Sequence, residues 1–332
     1  MNSDVQQLDG RKLMADAKFY ESYSRWMDTE KRYETWEESV TRVMNMHRTK
    51  YADKMTPALT VLIDSCENLY KQKRVLGAQR ALQFGGEQIL KNPLKMYNCV
   101  SSHLDRPEFF GEYMELLLAG CGAGFSVQKQ HISKLPALKP RSKATKIHVV
   151  DDSIEGWATA FDVLFSSFFV GGGKYPEFAQ HPVFIDLKNI RPKGAMISGG
   201  FKAPGPEPLR KALDFVESIL NKVAEEKRQL KTIEAYDCCM HMADAVISGG
   251  VRRSATICLF SKDDDDMIKA KTGDWFISNP QRGRSNNSAM LLRDETTFEE
   301  FQKIMESVQH SGEPGFIFTD NLEFTYNPCV FN

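Results

Sequence analysis

The chain has 332 residues, 42% of them apolar, with 43 basic against 44 acidic side chains. That length supports one large domain or two ordinary ones around a sizeable core, and the near-neutral balance gives no electrostatic basis for direct binding of nucleic acid, while small phosphorylated ligands need only a local site. No stretch approaches the ~18 unbroken apolar residues of a membrane span, and the opening MNSDVQQLDGRK lacks the apolar core of a signal peptide, so no membrane is expected and the chain is read as cytoplasmic.

Residues 1–94 read as a mainly helical region, because MDTEKRYETWEESVTRVMNMHRTKY places apolar side chains at helical spacing between charged ones. From 95 to 332 strands and helices alternate. KMYNCV at 95–100 reads as a strand ending at Ser101 and Ser102. Asp105 stands where a helix N-cap belongs, ahead of Pro107 and an apolar stripe of Phe109, Phe110, Tyr113, Met114, Leu117 and Leu118 that stops at Gly120. GCGAGFSV at 120–127 then enters a strand, so its glycines follow a helix, the reverse of a dinucleotide-binding fingerprint; a nicotinamide oxidoreductase is disfavoured. An exposed connection at 133–146, a buried helix at 151–170, a strand at 183–187, a Gly- and Pro-rich loop at 189–208 and a helix marked by Leu209, Leu213, Val216, Leu220 and Val223 come next. A further helix spans Ile233–Ser248, stops at Gly249-Gly250 and leads to the strand 254–260, and the DDDD run at 263–266 is expected to cap a helix and stay wet. This alternation favours an α/β architecture with a central sheet or barrel.

Seven cysteines, an odd number without an export signal, point to thiols acting one by one. Cys329, in YNPCVFN, follows a turn-forming Asn-Pro and suits the tip of a loop, although a lone cysteine after proline is more often a buried structural residue. Cys238, Cys239 and His241 share a helix, but no fourth ligand at metal spacing accompanies them, so no metal is expected and core packing is. Arg252 and Arg253 follow a helix stop and are read as structural.

Ten motifs occur in one order: NCV (98–100), GCGAGFSV (120–127), ISKLP (132–136), EGW (155–157), DLKNIRPKGAMISGG (186–200), PGPEPL (204–209), SGGVRRSATI (248–257), SNNSA (285–289), GEPG (312–315) and NPC (327–329). Over about 60–329 the chain thereby resembles the monomeric, adenosylcobalamin-dependent (class II) ribonucleotide reductases, ending at their finger-loop cysteine. The resemblance implies a ten-stranded α/β barrel, here incomplete, after a helical N-terminal region. It implies thiyl-radical reduction of ribonucleoside tri- or diphosphates, with adenosylcobalamin as cofactor, a dNTP effector and a thioredoxin-type reductant. Carried over by motif, Cys329 becomes the thiyl that takes the 3′ hydrogen, Cys99 is one of two thiols that reduce the 2′ carbon, and Asn327 hydrogen-bonds the ribose. Asn98, Gly120, Gly122, Ala123 and Gly124 lie along the substrate, the glycines admitting it close to the backbone; a plain helix stop and close packing is the other use of such glycines. Ser285, Asn286 and Asn287 also fall to the substrate. Ser198, Gly199, Gly200, Lys202, Arg282 and Arg284 belong to the two effector and specificity loops, where the arginines contact phosphate or base, unless those loops are simply solvated surface.

After NPC the family has a small residue and then a glutamate that handles the 3′ hydroxyl proton, whereas here Val330 and Phe331 follow. Phenylalanine accepts no proton. The second reducing cysteine, most of the cobalamin surface and the tail thiols also fall beyond 332 in the family. The expectation is a divided protein, inactive until a separately encoded C-terminal half joins it; the alternative is a catalytically incomplete nucleotide-binding fragment.

Overall fold

A computed structural model describes residues 10–197, 201–247 and 255–329, with the side chains of Ile197, Phe201 and Ile247 left aside. The chain divides into two compact units, Met1–Asn98 and Cys99–Asn332. The first is helical, with Gly10–Ser22, Trp36–Lys50 and Pro57–Lys71 as its long helices around a small core of Val40, Val43, Met44, Tyr70, Ala81 and Leu82. Thr35 and Glu38 form a capping box that starts the second of these. Residues expected to extend that helix backward instead make a small hairpin, Trp26–Met27 against Arg32–Tyr33, with Lys31 in the left-handed region.

The second unit is built on a five-stranded sheet: β1 Cys99–His103, β2 Gly122–Ser126, β3 Thr256–Ser261, β4 Asn286–Leu292 and β5 Gly315–Thr319. All four pairings are parallel, and the strands lie in the order β1-β2-β3-β4-β5, so each pairs with its neighbours in sequence and, among the described residues, β1 and β5 are the edges. An order that never reverses differs from the doubly wound dinucleotide fold, which has a switch point. The described sheet has five strands and does not close on itself.

Helices α1 Phe109–Leu118, α2 Ile154–Phe168, α3 Glu207–Glu225 and α4 Thr232–Ile247 pack with one face of this sheet into the main core. Alternation decides which strand residues join them: Val100, Ala123, Phe125, Cys258, Phe260, Ala289 and Leu291 do. Ile257, Leu259, Met290 and Ile317 form a separate cluster on the opposite face, covered by Leu322 and Tyr326. Phe110 of α1 stacks on Phe165 of α2 with ring centroids 3.6 Å apart.

Several boundaries differ from expectation. β1 begins at Cys99, because 93–96 is a 3-10 turn. Asp105 does not cap α1, which starts at Phe109; its carboxylate pairs with Arg106 at 3.1 Å and Lys134 at 3.6 Å. The strand Val183–Asp186 pairs with Lys146–Val149 outside the main sheet. Asp264 does cap a short helix, accepting from Met267 N at 3.1 Å, but it is buried rather than wet. Cys238 and Cys239 are fully buried, as core packing required, and His241 stacks on Phe215. Helix α5, Phe298–Ser311, has no counterpart in the sequence reading; Thr297 caps it, its hydroxyl accepting from Glu300 N while Glu300 accepts from Thr297 N. Thr297→Ala is expected to cost about 1 kcal/mol in urea unfolding, while Thr297→Ser costs little.

Candidate active site

On the open face, odd-numbered β1 residues Cys99, Ser101 and His103 stand beside even-numbered β2 residues Gly122, Gly124 and Ser126. After β5 the chain returns across this face and runs against the direction of both strands. Gln128 Nε2 donates to Leu322 O at 2.8 Å, His103 Nε2 meets Glu323 O at 3.1 Å, and Ser101 and Thr325 share a hydroxyl hydrogen bond of 2.8 Å. Further along, a Cβ on Gly124 would collide with the Tyr326 carbonyl, and one on Gly122 would lie 3.2 Å from Cys99 Sγ and 3.4 Å from Pro328 Cγ. The two glycines therefore admit the chain's own segment 326–328 to the strand. Gly120 has a different use: at φ +83° it ends the turn after α1 in a conformation that favours glycine.

The return segment ends with Cys329 bonded to Cys99 across 230 positions, their Cα atoms 6.8 Å apart. By the resemblance the two sulfurs have separate duties and the second reducing cysteine falls beyond 332; in this structure Cys99 is bonded to Cys329. Cys329 is exposed at the tip and Cys99 half-buried. In the bonded form neither sulfur carries a hydrogen. Asn327 Oδ1 accepts from Cys329 N at 2.9 Å, a local turn that sets the backbone ahead of the cysteine.

Other residues expected at the site lie elsewhere. Ala123 and Asn287 face the helices, because strand alternation turns them away from Cys99. Asn287 Nδ2 donates to Tyr236 Oη at 3.1 Å, Ser285 Oγ donates to Asn287 Oδ1 at 2.8 Å, and Lys271 Nζ reaches both Ser285 O and, at 2.8 Å, Glu313. This buried network holds the start of β4 against α4, so Ser285 and Asn287 are engaged inside the protein, while Asn286 is exposed. Arg282 is clasped by Asp237 at 2.7 and 2.8 Å and donates to Ala270 O, and Arg284 pairs with Asp244 at 2.7 Å. Both guanidiniums are thus committed to carboxylates of α4 rather than held out for phosphate. Asn98 closes the first unit, where its Oδ1 accepts from Arg80 at 3.3 Å. Lys202 is exposed on a short hairpin with Met196. Ser198, Gly199, Gly200, Arg252, Arg253, Val330 and Phe331 lie outside the described residues. A cleft of about 520 Å³ flanks the 189–208 loop, lined by Phe184, Asp186, Lys188, Lys193, Pro206 and Arg210 among others.

One further constellation is marked by none of the motifs. His103 of β1, His131 and Glu323 of the return segment bring their ligand atoms within 4.8 Å of one another. The two rings stack with centroids 4.0 Å apart, and His131, wholly buried, meets Ser126 Oγ through Nδ1 at 2.9 Å and Glu323 Oε2 through Nε2 at 3.1 Å. Burial lowers the His131 pKa, and the hydrogen bond from His131 lowers that of Glu323. The alternation Cys99, Ser101, His103 was the available signal.

No family model matches the chain. It is 29% identical over 366 aligned residues to the adenosylcobalamin-dependent ribonucleoside-triphosphate reductase of Lactobacillus leichmannii, with 92% of this chain and 48% of the relative covered. The enzymes of the same name from Lactobacillus gasseri and Levilactobacillus brevis are each 28% identical, over 369 and 360 residues. The chain resembles the adenosylcobalamin-dependent ribonucleotide reductases in sequence. It spans about half the length of these curated relatives. Its fold superimposes on a crystal structure of a B12-dependent (class II) ribonucleotide reductase with a TM-score of 0.77 and 24% identity, covering 92% of this chain and 49% of that one. The mixed α/β arrangement around a parallel sheet is therefore the reductase arrangement. No described helix is long and apolar enough to cross a membrane.

Proposed function

We propose that this chain is the part of a ribonucleotide reductase that carries the radical-accepting finger, acting on ribonucleoside tri- or diphosphates in the cytoplasm, with its five strands as one half of the family's ten-stranded barrel. The reading rests on one observation: Cys99 and Cys329, 230 positions apart, meet on the open face of a parallel sheet. In this scheme the Cys329 thiyl takes the 3′ hydrogen of the ribose, and the Cys99 thiol contributes to reduction of the 2′ carbon as its hydroxyl leaves as water. A disulfide has no hydrogen to lose, so the Cys99–Cys329 bond must first take up two electrons and two protons, the service of a thioredoxin-type reductant. Asn327 would orient both the finger and the sugar.

Adenosylcobalamin, when bound, would supply the radical. What this chain offers it is Cys329, exposed at the tip of the finger and open to an approach from outside the sheet. A dNTP effector suits the cleft at 184–210, whose Lys188, Lys193 and Arg210 match phosphate charge and which borders the loop carrying Lys202.

The test mixes the reduced chain with adenosylcobalamin, a ribonucleoside triphosphate, a dithiol and the second half of a relative such as the Lactobacillus leichmannii enzyme. Deoxyribonucleotide should form, and Cys329→Ser and Cys99→Ser should each bring it to background. Product from the Cys329→Ser mixture would overturn the assignment. Calorimetric heat with dNTPs but no turnover in any mixture would favour the nucleotide-binding fragment instead.

A further inference from the structure

The geometry points to a divalent transition-metal site, of the zinc type, formed by His103, His131 and Glu323 at the root of the finger. This inference stands on different residues from the cysteine chemistry and does not depend on it. Two imidazoles and one carboxylate are a donor set that zinc and its neighbours accept, with metal–ligand distances of about 2.0–2.2 Å and a fourth position left for water. Here both Nε2 atoms already converge on one residue, His131 Nε2 on the Glu323 carboxylate and His103 Nε2 on its carbonyl, each at 3.1 Å. All three ligand atoms lie within 4.8 Å of one another, so an ion needs closure by little more than about 1 Å.

The arrangement around them is of the kind that holds a ligand in place. His131 is wholly buried, and its far nitrogen meets Ser126 Oγ, which fixes the ring plane; once Nε2 turns to a metal, Nδ1–H donates to Ser126 Oγ in place of one of the bonds that Gln128 N and Nε2 now give it. The stack, with centroids 4.0 Å apart and 27° between the planes, holds the two rings adjacent, and binding requires the half-buried His103 ring to tilt out of it so that both in-plane lone pairs meet the ion. Glu323 is about half exposed, which leaves the remaining position open to water. An ion there would tie β1, the residues after β2 and the return segment together six residues before Cys329, fixing the finger at its root.

The experiment titrates the full, oxidised chain carrying Cys66→Ser with cobalt(II) chloride and zinc sulfate. Cys99 and Cys329 are then bonded, the other thiols are buried, and the exposed Cys66 is removed as a competitor. One equivalent of cobalt should bind with d–d absorption and without a thiolate charge-transfer band, zinc should displace it, and zinc should slow amide exchange over 321–326. His103→Ala and Ser126→Ala should each weaken binding at least about tenfold, while His310→Ala leaves it unchanged. His103→Ala and Ser126→Ala alter a half-buried ring and a single hydroxyl, so they decide the matter even if His131→Ala does not fold. No saturable binding up to about 1 mM zinc, or binding that survives both His103→Ala and Ser126→Ala, would overturn the site.

Discussion

Gly124→Val should abolish the Cys99–Cys329 bond while leaving the helix-covered side of the sheet folded. Valine is a good strand residue, so the change is not expected to weaken β2 itself. Its Cβ, however, would fall on the Tyr326 carbonyl and 3.0 Å from Asn327 Cα, and backbone cannot step aside as a flexible side chain can. The return segment must lift. At 6.8 Å the two Cα atoms already sit at the upper end of the about 4.4–6.8 Å that a disulfide spans, so a displacement of about 1 Å puts the sulfurs out of reach. After air oxidation and unfolding in denaturant, the native chain should show five titratable thiols out of seven cysteines and the variant seven. Gly122→Ala, which meets Cys99 Sγ at 3.2 Å, should give a partial effect. Five thiols in Gly124→Val would mean that the glycine is not there for the finger.

The second large effect concerns Asp162, in the middle of α2. Its carboxyl is 1% exposed, lies against Gly111 of α1 and pairs with Lys174 at 2.7 Å. Burial raises its pKa to about 6, against the opposing pull of Lys174. A carboxyl that holds its proton more tightly folded than unfolded adds stability that is complete below its ordinary value of 3.8 and is lost as the pH rises through about 6. That difference corresponds to roughly 3 kcal/mol. Because other carboxylates, such as Glu67 held at about 2 by Lys71 and Arg48, act in the opposite direction, the comparison must be with Asp162→Asn. The unfolding free energy of the native chain minus that of the variant should fall by about 2.4 kcal/mol between pH 4 and pH 8, most of it before pH 6.5. A difference that stays flat would show that Asp162 is ionised at ordinary cost.

What could be read from the sequence depended on how far apart the interacting residues lie. α1 to α4 were legible because apolar stripes such as Phe109, Phe110, Tyr113 and Met114 recur at helical spacing within a few residues. The cap at Asp105 was misread because its carboxylate found Arg106 and Lys134 instead of the helix start. α5 went unread although Thr297 and Glu300 write a capping box into the chain. At the site, the motifs named the segments while strand parity decided the side chains: 285–289 reads as a run of polar candidates, yet Asn287 turns into the core, and its partner Tyr236 is 51 positions away. Nothing local shows that Gly122 and Gly124 face a segment 200 residues on, or that Glu323 meets His131 across 192 positions.

β1 and β5 each have a partner on one side only among the described residues, so each presents a row of amide and carbonyl groups to whatever comes alongside. Parallel strands with bare margins recruit other strands readily. Such edges accept further strands through backbone hydrogen bonding alone, so at high concentration copies of this chain are expected to zip onto one another. Dilute solution is thus the condition in which those margins stay apart from their own kind.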